Sequence, residues 1–212
     1  MIEAPADAAR VGEPDDLVGI VTVDDIIDVI REEATEDFLQ MAGAGKDREI
    51  LLKSAFDNAM LRAPWLFASW IGGIMAMVII GSFEQELTSV IALASFIPIV
   101  MGMGGNIATQ SSTIIVRGIA TGRVNMQELF KVIFKEFRVG LLLGCVYGIF
   151  LGVVSFFLHR DPTLLGLVVG LSIFFIMAMS ATLGTIIPLV LKRFGFDAAI
   201  ATGPFVTTAI DI

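Results

Sequence analysis

Five stretches of this chain contain no Asp, Glu, Lys, Arg or His residue, and their lengths constrain the fold more than any other feature. They cover residues 63–83, 87–116, 139–158, 162–191 and 198–210, which is 21, 30, 20, 30 and 13 residues. A membrane-spanning helix needs about 20 largely apolar residues, so the first four stretches qualify. Asp211 interrupts the fifth. The pattern predicts an all-α membrane protein with five transmembrane helices, the last of them incomplete in this sequence.

The charged residues are distributed unevenly along the chain. Residues 1–53 hold 14 acidic and 5 basic residues, whereas residues 54–212 hold 8 acidic and 9 basic residues. This distribution excludes a single water-soluble domain, and the acidic balance argues against a nucleic-acid partner. The sole cysteine, Cys145, excludes an intrachain disulfide. Because the first apolar stretch follows an acidic head, we expect no cleavable signal peptide.

The basic residues of the body predict how the chain is oriented in a membrane. If five helices alternate, one side receives Arg62, Arg117, Arg123, Lys131, Lys135, Arg138, Lys192 and Arg193. The opposite side has Arg160, accompanied by Glu84, Glu86 and Asp161. Cytoplasmic loops carry the excess of Lys and Arg. We therefore expect a multi-pass protein of the plasma or inner cell membrane, with a cytoplasmic N-terminus and an extracytoplasmic C-terminus.

The head divides into a short tail and two helices. Residues 1–16 lack periodicity and predict a mobile tail, and Leu17–Val23 is an apolar run typical of one short buried strand. Residues 24–62 then predict cytoplasmic connecting helices, the second of which runs from Lys46 directly into the membrane. The predicted units are thus residues 1–23, 24–62 and a membrane domain over 63–212.

Acidic side chains crowd the first connecting helix. They are Asp24, Asp25, Asp28, Glu32, Glu33, Glu36 and Asp37. Residues 25, 28, 32 and 36 share one helical face, where like charges repel unless cations neutralise them. Two interpretations remain open at this point: an ordinary solvated acidic face, or a carboxylate site for Mg²⁺ or Ca²⁺.

The second apolar stretch carries an unusually polar motif. Pro98, Gly102, Gly104 and Gly105 are expected to open the helix and expose backbone carbonyls. Asn106, Gln110 and Thr113 follow at steps of four and three residues, so they share one face. Hydrogen bonding between helices is one explanation, because buried amides are costly in lipid. A water-filled path along this face is the interpretation that we favour.

Asp211 is the second candidate. It lies 13 residues beyond Ala198, on the order of 20 Å along a helix, and hence deep in the bilayer. An intramembrane carboxylate is costly unless it faces a cavity or a cation, and marks a functional site by default. A buried protonated Asp is the alternative. Gly203-Pro204 can loosen the helix before it, and Thr207 and Thr208 add hydroxyl groups.

Other features point to packing and away from catalysis. Gly140, Gly144, Gly148 and Gly152 recur at every fourth position and predict close helix packing. His159 is the sole histidine, and no H-E-x-x-H motif occurs. Since Ser111 and Ser112 have no histidine base at membrane depth, we expect no enzyme.

These motifs resemble the MgtE magnesium channels. Pro98–Gln110 matches their P-x-x-x-G-x-G-G-N-x-x-x-Q signature. Gly19–Phe38 is similar to the end of their second CBS domain and the start of their connecting helix, and Gly195–Asp211 to their last membrane helix. Compared with that family, the chain lacks the N-terminal domain and nearly all of the CBS pair, so nucleotide binding is not implied.

The resemblance implies a homodimer whose two subunits, with five membrane helices each, enclose a Mg²⁺ pore. It implies that Asp211 is the pore carboxylate and that the pore is also lined by Gly102, Gly105, Asn106, Gln110 and Thr207. It further implies a cytoplasmic regulatory Mg²⁺ site formed by Asp25, Asp28, Glu33, Glu36, Asp37 and Asp197.

The predicted function is passive, potential-driven influx of Mg²⁺, and of other divalent cations that the pore admits. Gating by intracellular Mg²⁺ is implied by the resemblance. The alternative is a secondary transporter, in which Asp211 couples transport of Mg²⁺ or another divalent metal to H⁺ or Na⁺ across broken helices.

Overall fold

The computed structural model describes residues 9–10, 20–45, 47, 49–89, 91–125, 128–158 and 162–211, and helices dominate this part of the chain. A two-residue strand pair, β1 (Ala9–Arg10) and β2 (Ile20–Val21), precedes the helices. The helices are α1 (Val23–Met41), α2 (Ala55–Ser82), α3 (Glu84–Ser89), α4 (Ile91–Ala94), α5 (Ile97–Ala120), α6 (Leu129–Leu158), α7 (Pro162–Arg193) and α8 (Pro204–Asp211). Short 3₁₀ helices cover Ile50–Leu52 and Ala198–Thr202.

The strand of the head is shorter than the sequence pattern indicates, and the helix after it begins one residue earlier. The strand predicted over Leu17–Val23 is seen at Ile20–Val21, antiparallel to Ala9–Arg10, and residues 17–19 lie outside the described residues. Val23 was wrongly placed in that strand, because it begins α1 and is 47% exposed. Thr22 caps α1: its hydroxyl accepts from the Asp25 backbone N–H, and the Asp25 carboxylate accepts from the Thr22 backbone N–H. This reciprocal capping box fixes where α1 starts.

The first membrane helix begins earlier than the charge-free stretch suggests. A helix from Lys46 into the membrane is wrong, since the described chain forms a 3₁₀ turn at Ile50–Leu52 before α2 starts at Ala55. Ser54 caps α2 by accepting a hydrogen bond from the Asp57 backbone N–H. Pro64 therefore lies inside the helix, and the polar first turns and the apolar span form one continuous helix.

The second apolar stretch is broken, but not at its glycines. A turn at Ser95 and Phe96 separates α4 from α5, and Pro98 lies in the first turn of α5, where a missing backbone N–H costs little. Gly102, Gly104 and Gly105 lie within regular helix, so the prediction that they open the backbone is wrong. Gly104 instead allows close packing: an added Cβ would approach Ile176, Ser180 and Ile210 to 3.0–3.2 Å.

Helices α6 and α7 pack along the glycine stripe, as predicted. A Cβ added at Gly140, Gly144 or Gly148 would lie 2.5–2.8 Å from a backbone oxygen of α7, and one at Gly152 would lie 3.0 Å from the Gly166 oxygen. Backbone atoms cannot rotate away as side chains can, so these contacts require glycine. The adjoining core is apolar and includes Leu151, Val169, Ile173 and Met177. Pro188 is accommodated within the continuous helix α7.

Four segments of the described chain are long and apolar enough to cross a membrane. They are Ala55–Ser82, Ile91–Ala120, Leu129–Leu158 and Leu164–Arg193. The fifth predicted membrane helix consists of the 3₁₀ helix Ala198–Thr202 and the eight-residue helix α8. The helical fold class is thus confirmed, four of the predicted spans are helices of suitable length and composition, and a fifth span stays a prediction.

Candidate functional site

Helix α8 lies among three membrane helices. Val206 and Ile210 are buried with Ala108 of α5, and Ile187 of α7 packs against them. On another side, a Cβ added at Gly72 of α2 would lie 2.4 Å from the Thr208 methyl group, so the two helices are in close contact. These contacts place α8 against the buried side of α5, which carries Gly104 and Ala108, and hold it between α2, α5 and α7.

Asp211 is the last residue of α8 and is half-buried. Within the described residues its carboxylate has no hydrogen-bond or ion-pair partner. Thr207, one turn earlier, is also half-buried, and its hydroxyl donates to the Gly203 carbonyl at 3.4 Å. A carboxylate without a protein cation beside it is available to a diffusible one.

The predicted polar face of α5 is present. Asn106, Gln110 and Thr113 are exposed, whereas Ser111 and Ser112 on the opposite side are buried. Nothing lies within 4 Å of a Cβ added at Gly102 or Gly105. This face is therefore uncovered in the single chain and is available to line a path or to contact a second subunit.

A cavity of about 530 Å³ lies where α1 meets the ends of α5 and α7. It is lined by Glu33, Glu36, Asp37 and Gln40 of α1, Val116, Ile119 and Ala120 of α5, and Lys192, Gly195, Phe196, Asp197 and Ala198. Four carboxylates thus face one lysine. Since the carboxylates outnumber the cations, the cavity attracts positive charge.

The electrostatics of Asp37 reflect this crowding. Burial raises the pKa of Asp37, and the neighbouring carboxylates of Asp197, Glu33 and Glu36 raise it further, while Arg117 opposes them. Asp197 is held in place because it caps the following 3₁₀ helix, where its Oδ1 accepts from the Ala199 backbone N–H at 3.0 Å. The carboxylates of the cavity therefore repel one another, and a bound cation would reduce that repulsion.

The carboxylates of the cavity suit a hydrated cation better than one that has lost its water ligands. Among the described residues, no three Asp, Glu, His or Cys side chains converge to ligate a metal ion directly. Mg²⁺ prefers oxygen ligands and retains several of its waters. Carboxylates spread around a cavity of this size can hold such an ion through its water shell, so the residues suit hydrated Mg²⁺.

Two of the predicted regulatory ligands lie outside this cavity. The Asp25 carboxylate accepts hydrogen bonds from the Thr22 backbone and hydroxyl, which lower the pKa of Asp25. Asp28 forms an exposed ion pair with Arg31 at 3.8 Å. The chain thus brings Glu33, Glu36, Asp37 and Asp197 together and leaves these two aspartates on the surface of α1.

Gln40 is a cavity residue that the sequence reasoning missed. Its side chain is 1% exposed, and its Nε2 donates to the Glu36 carboxylate at 3.4 Å. Its Oε1 atom is buried and has no hydrogen-bond partner in the described chain. The available signal was its position, because residue 40 follows Glu33, Glu36 and Asp37 on one helical face.

Comparison with known proteins identifies a family. Residues 97–212 match the MgtE family, described as "Divalent cation transporter". The chain belongs to the MgtE family. Its matched part begins with α5 and includes Lys192 and Asp197 of the cavity and the whole of α8. The family's description names transport and no catalytic activity, which agrees with the expectation that the chain is no enzyme.

Curated members of the MgtE family match most of this chain. The "Magnesium transporter MgtE" of Bacillus subtilis is 42% identical over 196 residues, covering 92% of this chain and 43% of that protein. The protein of the same name from Thermus thermophilus is 38% identical over 204 residues, or 95% of this chain and 45% of that protein. This chain therefore spans less than half the length of these relatives.

Proposed function

We propose that this chain forms a Mg²⁺-selective pore through which Mg²⁺ enters the cell passively, driven by the membrane potential. The observation that carries the proposal is a carboxylate, Asp211, at the end of a helix packed between the membrane helices α2, α5 and α7. The names of its relatives supply the ion. A hydrated Mg²⁺ needs oxygen acceptors more than direct ligands, and carboxylate, amide and hydroxyl groups provide them.

The assembly is proposed to be a homodimer. The exposed face of α5, with Asn106 and Gln110, and the half-buried Asp211 are open in a single chain. A two-fold axis beside them would place two copies of each group around one path, along with Gly102, Gly105 and Thr207. The orientation proposed from the basic residues puts α1 and the acidic cavity in the cytoplasm and Asp211 toward the outer side.

The acidic cavity is proposed to sense intracellular Mg²⁺. It joins α1 to the segment that leads into α8: Asp197 caps the 3₁₀ helix Ala198–Thr202, whose buried Ala198 and Ala199 pack with Val116 and Met41. Bound Mg²⁺ would screen the repulsion between Asp197 and the carboxylates of α1 and hold the two together. An ion that favours one arrangement of α1 and α8 over another shifts the population between them.

Uptake into proteoliposomes tests the pore. We expect Mg²⁺ to enter vesicles under an inside-negative potential without an H⁺ or Na⁺ gradient, and Asp211→Asn to reduce that uptake. Glu128→Gln is the matched control, because Glu128 is an exposed carboxylate paired with Lys131 away from α8. Undiminished uptake by Asp211→Asn would remove Asp211 from the pore. Uptake that requires an H⁺ or Na⁺ gradient would instead indicate a coupled transporter.

A further inference from the structure

A buried carboxyl group outside both candidate sites connects α6 to α5. Glu136, in the second turn of α6, is 6% exposed, and the Ser111 hydroxyl of α5 donates to its Oε2 at 2.9 Å. Ser111 is itself 2% exposed. Burial of a carboxyl group is costly unless the group gains a hydrogen bond. The Ser111 hydroxyl therefore compensates part of the cost of burying Glu136.

The direction of the Ser111 hydrogen bond is unusual for this chain. Hydroxyls of Thr109, Thr121, Ser172, Thr182 and Thr185 all donate to the carbonyl four residues earlier in their own helix. That local bond is the ordinary arrangement for Ser and Thr in membrane helices. Ser111 donates across to another helix instead, so its hydrogen bond ties two elements together.

This tie acts where little else joins the two helices. In the described chain α6 packs broadly on α7, and α5 packs on α7 and α8, but α5 and α6 share no broad interface. Ser111 directly follows Gln110, one of the exposed polar residues of α5. Because a helix is rigid about its axis, holding Ser111 against α6 also fixes the direction in which Asn106 and Gln110 point.

We propose that Glu136 is a positioning residue, which fixes the rotation of α5 through Ser111 and thereby aligns the polar face of the pore. The inference rests on the proposed function, since it concerns how α5 presents its side chains to the ion. A rotation of α5 by about 20° would displace side chains at the helix surface by roughly 2 Å, given a helix diameter of about 10–12 Å. A hydrated ion held through water-mediated hydrogen bonds is sensitive to a shift of that size.

The first test measures initial Mg²⁺ uptake against Mg²⁺ concentration in proteoliposomes. Glu136→Leu and Ser111→Ala remove the hydrogen bond, whereas Glu136→Gln keeps an acceptor and Ser111→Thr keeps a donor. We expect the first two variants to raise the half-saturating concentration about fivefold, the factor that one net hydrogen bond is worth. The conservative variants should restore it, and Glu136→Leu/Ser111→Ala should be no worse than either single change.

A second measurement does not depend on transport. In a Cys145→Ser background, Thr113→Cys places a thiol on the exposed face of α5, where its rate of reaction with a water-soluble reagent reports the rotation of the helix. Glu136→Leu should change that rate about fivefold, by the same hydrogen-bond reasoning, and Glu136→Gln should not.

The outcomes separate this inference from the proposed function. Wild-type half-saturation and labelling in Glu136→Leu, or a loss confined to the yield of folded protein, would overturn the positioning role. If the unmutated protein takes up no Mg²⁺, the proposed function fails, and the labelling rates alone then decide whether Glu136 sets the rotation of α5.

Discussion

Two adjacent glycines of α2 offer a sharp test of how α8 is held. Helix α2 contacts the rest of the described chain mainly through α8. A Cβ added at Gly72 would lie 2.4 Å from the Thr208 methyl carbon and 2.9 Å from the Thr208 Cβ, whereas a Cβ added at Gly73 meets nothing within 4 Å. Gly72→Ala and Gly73→Ala therefore introduce the same methyl group in opposite environments.

The magnitude follows from the distances. Ordinary contact begins near 3.4 Å, so the Thr208 methyl must retreat by about 1 Å and its Cβ by about 0.5 Å. Rotation about χ1 can move the methyl group but not the Cβ, so α8 must shift. Overpacking of this kind costs about 1–3 kcal/mol. Both substitutions gain helix propensity, about 1 kcal/mol each. At Gly73 the open space leaves only this gain, so the two variants should differ by the overpacking cost alone.

Thermal unfolding in detergent and Mg²⁺ uptake per folded protein together test this reasoning. We expect Gly72→Ala to unfold at a lower temperature and to transport more slowly, because Asp211 lies one turn beyond Thr208 on the displaced helix. Gly73→Ala should match or exceed the unmutated protein in stability and transport at its rate. Equal stability and equal uptake in the two variants would refute the packing of α8 against α2.

Four further predictions follow from the cavity and from the packing of α6 on α7. Because the pKa of Asp37 is raised, Mg²⁺ must displace a proton from it, and the apparent Mg²⁺ affinity should fall as pH decreases from neutrality toward that pKa. In a calorimetric titration Asp37→Asn should make the Mg²⁺ affinity less dependent on pH. The same pH dependence in Asp37→Asn and the unmutated protein would contradict this prediction. For the same reason, without Mg²⁺ the Asp37 carboxyl stabilises the fold below its ordinary pKa of 3.8, and this contribution is lost as pH rises through the raised value. Gln40→Leu should weaken Mg²⁺-dependent protection of α1 from proteolysis if the orphan Oε1 faces the hydrated ion, and identical protection would exclude that role. Gly148→Ala should cost about 1–3 kcal/mol in detergent unfolding, since its Cβ would lie 2.5 Å from the Gly170 oxygen; a neutral effect would place α6 and α7 further apart.

Much of the fold was predictable because burial in a membrane has a simple one-dimensional signature. Charge-free stretches of about 20 residues are read directly from the sequence, and four of them form helices long and apolar enough to cross a membrane. Glycines at every fourth position likewise predicted close helix packing, and the structure identifies α7 as the partner of α6. The error fell on Gly102, Gly104 and Gly105, which were expected to open α5 and lie in regular helix. Local propensity overestimated their effect, because a glycine inside a helix costs only about 1 kcal/mol, and in a membrane the backbone keeps its helical hydrogen bonds.

The candidate sites divide in the same way. The sequence by itself determined the membrane-spanning body, the acidic character of α1, the polar face of α5 and the family, because each depends on residues close together in the chain. Only the tertiary structure decided which carboxylates share a cavity. Asp197 is distant from α1 in sequence and joins it through packing at Ala198 and Ala199, while Asp25 and Asp28 turn away to a helix cap and an exposed ion pair. The tie between Glu136 and Ser111 was likewise invisible in sequence, since a hydrogen bond between residues 25 positions apart is set by how helices pack and not by any local pattern.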